Sequence, residues 1–244
     1  MASIFVVVFM HMPPRFRKLI CAFLAAMGFA TSGCHKTKWI WETEEEYFKL
    51  PYWDQRVKEL HKREYQTGNV TFFIGDSITE GYDLYRMYGD NTIVNMGIGG
   101  DFTSGVLMRL DLVKKYQPKK VFLMIGINDI LKNVPIEVIQ KRYAEIIDTI
   151  LRDSPTTHLY IQSNLPTLNL GGNLTTNQPI LDKVNQLNEF LRIQCATKGA
   201  EFIDLHSHFM KDGQLNAEYT YDGLHISEAG YQLWTQIISE CVRN

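Results

Sequence analysis

Apolar runs of five or six residues alternate with longer amphipathic stretches along this chain. Val70-Thr71-Phe72-Phe73-Ile74 is apolar and β-rich, as in a strand buried on both faces. Similar runs predict strands near 70–74, 92–95, 120–125, 157–162 and 200–204, and helical patterns fall near 43–66, 103–117, 135–152, 180–198 and 227–242. Thr43 with Glu46 reads as a capping box, Pro135 suits a helix's first turn, and Ser227 suits an N-cap. Strand and helix alternation predicts an α/β fold, a three-layer α/β/α sandwich with a central, mainly five-stranded parallel sheet. The 244 residues suit one such core, with no internal repeat and no low-complexity tract.

The candidate chemistry lies where these elements end. Gly75-Asp76-Ser77-Ile78-Thr79 follows the first strand, which puts Ser77 just past a strand's C-terminal end, where open α/β sheets place their chemistry. A helix starting there leaves the Ser77 backbone N–H free to meet an oxyanion; the alternative is that Asp76 and Ser77 only cap the helix. Asp222-Gly223-Leu224-His225 precedes the last helix, and an aspartate three residues before a histidine on a turn can bond Nδ1–H and leave Nε2 for a serine hydroxyl. Without a partner elsewhere, that segment is an ordinary surface turn. Asn95-Met96-Gly97-Ile98-Gly99-Gly100-Asp101 brings backbone N–H groups close to a ligand, and Gly126-Ile127-Asn128-Asp129 brings a carboxamide donor to the same edge. Four such segments, three after successive strands and one before the last helix, are hard to read as turns alone.

By these four blocks the chain resembles the SGNH hydrolases, the GDSL-type esterase and lipase superfamily, and within it the acetylhydrolase-type members. The likeness spans roughly residues 45 to 242 and implies a flavodoxin-like sheet. It implies Ser77 as nucleophile, Asp222 and His225 as the rest of a triad, and Ser77, Gly100 and Asn128 as oxyanion donors, with no metal or organic cofactor. Competing motifs fail on spacing. Phe102 stands where a dinucleotide fingerprint needs a glycine, no lysine follows Gly75 or Gly81 as in a P-loop, and Thr79 occupies the glycine position of an α/β-hydrolase elbow. Asp204-Leu205-His206-Ser207-His208 has no second cluster of ligands to make it a metal site.

The N-terminus predicts export. Arg15, Arg17 and Lys18 precede an apolar run from Leu19 to Ala30, too short to span a bilayer comfortably, then Thr31-Ser32-Gly33-Cys34. This resembles a bacterial lipoprotein signal with Cys34 as the lipid attachment residue, although Thr31 stands where that motif usually has leucine. The expected organisation is a signal peptide at 1–33, a tether at 34–44 and the hydrolase domain at 45–244, with translation starting at Met1 or Met12. The expected location is the bacterial cell envelope, periplasm or outer membrane, through a lipid anchor. Removing 1–33 takes three basic and no acidic residues, so the formal net charge moves from −2 to −5 and no basic stripe is left for nucleic acid. Cys195 and Cys241 remain, on separate predicted helices, and an oxidising compartment would allow them to pair.

Tyr82, Tyr85, Tyr88, Phe102, Tyr219 and Tyr221 lie near the blocks and can stack on a sugar, bury an acyl chain or simply pack loop on core. The expected longest loop, Pro166 to Pro179, is rich in Asn, Thr and Gly, which favours a polar alcohol portion. The expected function is therefore a serine esterase taking small acyl groups, above all acetyl, from acetylated carbohydrate. Alternatives are a lysophospholipase or thioesterase for longer acyl chains, or a non-catalytic glycan-binding envelope lipoprotein.

Overall fold

The computed structural model of the protein describes residues 43–168 and 174–243. The expected signal at 1–33, Cys34 and most of the tether at 34–44 lie outside the described residues.

Five short strands, β1 (Thr71–Gly75), β2 (Ile93–Gly97), β3 (Lys120–Met124), β4 (His158–Gln162) and β5 (Glu201–Ile203), form one parallel sheet in the order β2-β1-β3-β4-β5. The expected α/β sandwich and its flavodoxin-like order are thus what the chain adopts. β1 is buried along its whole length because it is flanked on both sides by strands and covered on both faces, hence its unbroken apolar run. The order reverses between β1 and β3, so the crevice at their C-terminal ends is the natural ligand position.

On one face Phe73, Phe122 and Tyr160 stand side by side in register and stack at 4.6 Å spacings. The C-terminal helix, which spans Glu228–Arg243, lies on this face: Trp234 is fully buried and its indole donates to Gln162 Oε1 at 2.6 Å. The opposite layer holds two long helices that pack on each other, Ile136–Asp153 and Leu174–Lys198; the first buries Ile139, Tyr143, Ile146, Ile147 and Ile150 at helical spacing. Among the described residues no helix is long and apolar enough to cross a membrane.

The structure departs from the sequence reading in four places. The stretch 43–66 is two helices, α1 (Glu44–Phe48) and α2 (Pro51–Lys62), because Pro51 forces Leu50 into an extended conformation at ψ 132°. The expected capping box of Thr43 and Glu46 opens the first of them. The stretch 103–117 divides into Thr103–Leu107 and Asp111–Tyr116, with the buried Arg109 at the break. The loop from Pro166 ends at Leu174, since the helix that follows carries Pro179 within it. A small antiparallel pair, Met210–Lys211 with Gln214–Leu215, turns through Asp212 and Gly213, both at positive φ as a tight hairpin requires. Cys195 and Cys241 are not bonded to each other.

Candidate active site

The chain leaves β1 at Gly75 and turns into a short helix, Ser77–Glu80, capped by Asp76, whose Oδ1 accepts the Ile78 N–H at 3.0 Å. Gly75 is needed for space: a Cβ there would lie 2.1 Å from Thr79 Oγ1 and 2.5 Å from the Met124 carbonyl oxygen. Ser77 is thereby presented at the sheet's C-terminal edge, half-buried.

The segment before the C-terminal helix reaches the same point. His225 Nε2 lies 2.9 Å from Ser77 Oγ across 148 residues of sequence, and His225 Nδ1 lies 2.6 Å from Asp222 Oδ2. The other Asp222 oxygen accepts the Leu224 N–H at 2.9 Å and the His225 N–H at 2.7 Å, so the carboxylate is locked by its own turn. Burial opposes the Asp222 charge, yet these bonds hold its carboxyl below the usual carboxylate range. Tyr221 stacks on the imidazole at 5.9 Å, nearly parallel, and is largely exposed.

Asn128 opens the helix after β3, and its Nδ2 donates one proton to the Asp101 carbonyl at 3.0 Å, which leaves the second for a ligand and sets the amide one residue from Gly100. Gly100 has φ +82°, a conformation only glycine adopts without strain. Among the described residues neither the Ser77 nor the Gly100 backbone N–H has a hydrogen-bond partner. The structure therefore brings all five candidate residues to one edge, formed by the ends of β1, β2 and β3 and the turn before the last helix.

Two supporting groups escaped the sequence reading. Arg109 is buried and donates to Asp101 Oδ2 at 3.0 Å, to the Met96 carbonyl at 2.8 Å and to the Gly75 carbonyl at 3.1 Å, tying the ends of β1 and β2 to the residue after Gly100. The signal was an arginine inside an otherwise apolar helical pattern. Asp129 is buried and accepts Thr103 Oγ1–H at 2.6 Å and the Thr103 N–H at 3.0 Å, fixing the helix that carries Asn128; burial pushes its carboxyl up to about 7. Of the alternatives open for the aromatic residues, Tyr82 and Phe102 take packing on the core, Tyr82 tilted against Trp234 and Phe102 edge-on to Tyr47. His206 Nδ1 lies 3.0 Å from the Asn164 carbonyl, and the imidazole that meets Ser77 Oγ is that of His225.

Beside Ser77 lies a tight depression, without room for a water molecule, lined by Ile78, Met124, Ile127, Leu165, Pro166 and Leu224 together with Asp76 and Asn164. Ile78, Ile127 and Leu224 are the chain neighbours of Ser77, Asn128 and His225, so the apolar wall is built into the same turns as the polar groups.

Complete burial pushes the Asp76 carboxyl from 3.8 up to about 7. Within that window the folded protein holds a proton that the unfolded chain has released. The contribution of Asp76 to stability is thus fullest on the acid side and is lost as pH rises toward 7. Asp76→Asn is expected to flatten that part of the stability profile. Thermal unfolding of both proteins between pH 4.5 and 8 checks this, and identical slopes would refute it.

Comparison with known proteins gives consistent results. Residues 73–233 match the model of the GDSL-like Lipase/Acylhydrolase family. The chain is 29% identical over 167 residues to platelet-activating factor acetylhydrolase IB subunit alpha1 of Rattus norvegicus, covering 65% of this chain and 68% of that one. A solved structure from Streptococcus pneumonia, provisionally described as a platelet activating factor, aligns at TM-score 0.70 and 31% identity over 81% of this chain and 96% of that one. A mutant of an acetyl-xylooligosaccharide esterase from Geobacillus Stearmophilus aligns at TM-score 0.58 and 20% identity over 75% and 97%, a likeness of fold.

Proposed function

Because the chain belongs to the GDSL-like lipase/acylhydrolase family and is an ester hydrolase, we propose that it is a serine esterase that removes short acyl groups, above all acetyl, from acetylated carbohydrate. The observation that carries the mechanism is the unbroken line from Ser77 Oγ to His225 Nε2 at 2.9 Å and from His225 Nδ1 to Asp222 at 2.6 Å.

His225 takes the Ser77 proton as Oγ attacks the ester carbonyl, and Asp222 keeps Nδ1 protonated so that Nε2 is the base. The Ser77 and Gly100 N–H groups and the Asn128 carboxamide meet the oxyanion. His225 then passes the proton to the leaving alcohol, and a water activated by the same imidazole releases the acid.

The depression supports a short acyl group. Its lining is mostly aliphatic, with the buried polar groups of Asp76 and Asn164 among it, and it is so tight that a longer hydrocarbon chain would enter only by displacing those side chains. Tyr221 beside His225 gives the alcohol side an exposed aromatic face, the surface a sugar ring stacks on. Acetyl esters are also what two of the similar proteins are named for. Lipid anchoring at Cys34 in the cell envelope belongs to this proposal and supplies no part of the chemistry.

The test is hydrolysis of p-nitrophenyl acetate, butyrate and octanoate, followed by acetate release from acetylated oligosaccharides. A sharp acetate optimum is expected; a rate that rises with chain length would replace this reading with a lysophospholipase or thioesterase. Ile127→Ala, which opens the wall beside Asn128, is expected to raise the butyrate-to-acetate ratio of kcat/KM by roughly tenfold. An unchanged ratio would show that the acyl group lies elsewhere.

A further inference from the structure

The loop from Ile98 to Asp101 closes with the Asp101 N–H donating to the Ile98 carbonyl at 3.0 Å. Its third residue, Gly100, at φ +82°, has the backbone of a type II turn. A type II turn and a type I turn differ by a flip of their central peptide, and here that peptide joins Gly99 to Gly100. No side chain on either residue resists the flip. The flip would reverse the Gly100 N–H, the group assigned above to the oxyanion.

Tyr47 holds this peptide. Its hydroxyl donates to the Gly99 carbonyl oxygen at 3.0 Å. In a trans peptide that oxygen and the Gly100 N–H lie in one plane and point in opposite directions, so fixing the first directs the second. A hydrogen bond to the carbonyl also polarises the N–H of the same amide and strengthens it as a donor. The ring is fully buried, edge-on to Phe48 at 5.1 Å and to Phe102 at 5.4 Å, and burial pushes the phenol far above its ordinary pKa, so it remains a donor. On the other side of the same glycine, the Gly99 N–H donates to Glu80 Oε2 at 3.0 Å. Glu80 is in turn met by the Tyr52 hydroxyl and by Arg56, whose Nε lies 3.1 Å from it at ion-pair rather than hydrogen-bond geometry.

We propose that Tyr47 is a positioning residue for the oxyanion site, holding the Gly99–Gly100 peptide in the orientation that presents the Gly100 N–H to substrate. It acts from α1, which precedes the matched family region at 73–233. The inference rests on the esterase reading above and adds to it a residue that touches neither substrate nor reacting atoms.

The test compares wild type with Tyr47→Phe, which removes one hydroxyl and keeps the ring. Tyr65→Phe is the control, because Tyr65 likewise donates to a backbone carbonyl, that of Leu60 at 3.2 Å, away from the loop. Active sites are counted with a fluorophosphonate; kcat and KM are measured on p-nitrophenyl acetate, and Ki for a trifluoromethyl ketone, which adds Ser77 Oγ to give a hemiketal oxyanion. Tyr47→Phe is expected to lower kcat per titrated site about tenfold at unchanged KM and to raise Ki by the same factor. Tyr65→Phe should alter neither value. 4-Aminophenylalanine at position 47, which restores a donor, should recover both, and it decides the matter if the phenylalanine variant folds poorly. Wild-type kcat and Ki in Tyr47→Phe, or lost activity from fewer titratable sites at unchanged Ki, would overturn the proposal. If wild type neither hydrolyses esters nor reacts with the probe, the esterase reading itself falls, and the role given to Tyr47 with it.

Discussion

Ser77→Ala is expected to reduce ester hydrolysis by about a million-fold, to the level left by binding and the oxyanion donors alone. The argument is geometric. Ser77 Oγ is the hydroxyl within reach of His225 Nε2, at 2.9 Å, and alanine leaves the imidazole with no oxygen to deprotonate. Folding should be unaffected, because the change removes one half-buried hydroxyl and keeps the Asp76 cap and the Gly75 turn. The measurement is p-nitrophenyl acetate turnover, fluorophosphonate labelling and thermal unfolding of both proteins. Equal labelling or equal turnover in the alanine variant would place the nucleophile elsewhere. Inactive but folded protein in both cases would return the chain to glycan binding.

Asp222→Asn is expected to lower kcat by about ten-thousand-fold with little effect on KM. The size follows from which end of the asparagine faces the imidazole. One oxygen position of Asp222 accepts two backbone N–H groups, from Leu224 and His225, so the asparagine carbonyl must occupy it. Its NH₂ is then left facing Nδ1, 2.6 Å away in the wild type. The imidazole must accept there, which moves its proton to Nε2 and leaves no base for Ser77. The expected signature is low kcat at near-normal KM in a folded protein, with trifluoromethyl ketone binding weakened as well, because its hemiketal forms only when the imidazole takes the Ser77 proton. Wild-type kcat in Asp222→Asn would mean that the imidazole is oriented by its loop alone.

Much of this was readable before folding. Strands placed at 70–74 and 120–125 are found at Thr71–Gly75 and Lys120–Met124, because burial on both faces demands an unbroken apolar run. Helix ends were read well where a cap or a proline marks them and poorly where the cause lies far away. Pro51 was a local signal given too little weight in the stretch 43–66. The break at Arg109 was not local at all, since its partners are Asp101 and the carbonyls of Met96 and Gly75.

The sequence by itself determined the α/β architecture and the identity of the five candidate residues. Periodicity, turn chemistry and the spacing of Asp222 and His225 act over a few positions and are written in the residues concerned. The tertiary structure alone decided that Ser77 meets His225 across 148 positions, that Tyr82 and Phe102 serve the core, and that Tyr47 grips the peptide before Gly100. Those contacts depend on strand order and on how helices lie over the sheet, and long-range packing leaves no mark in the local pattern of any single segment.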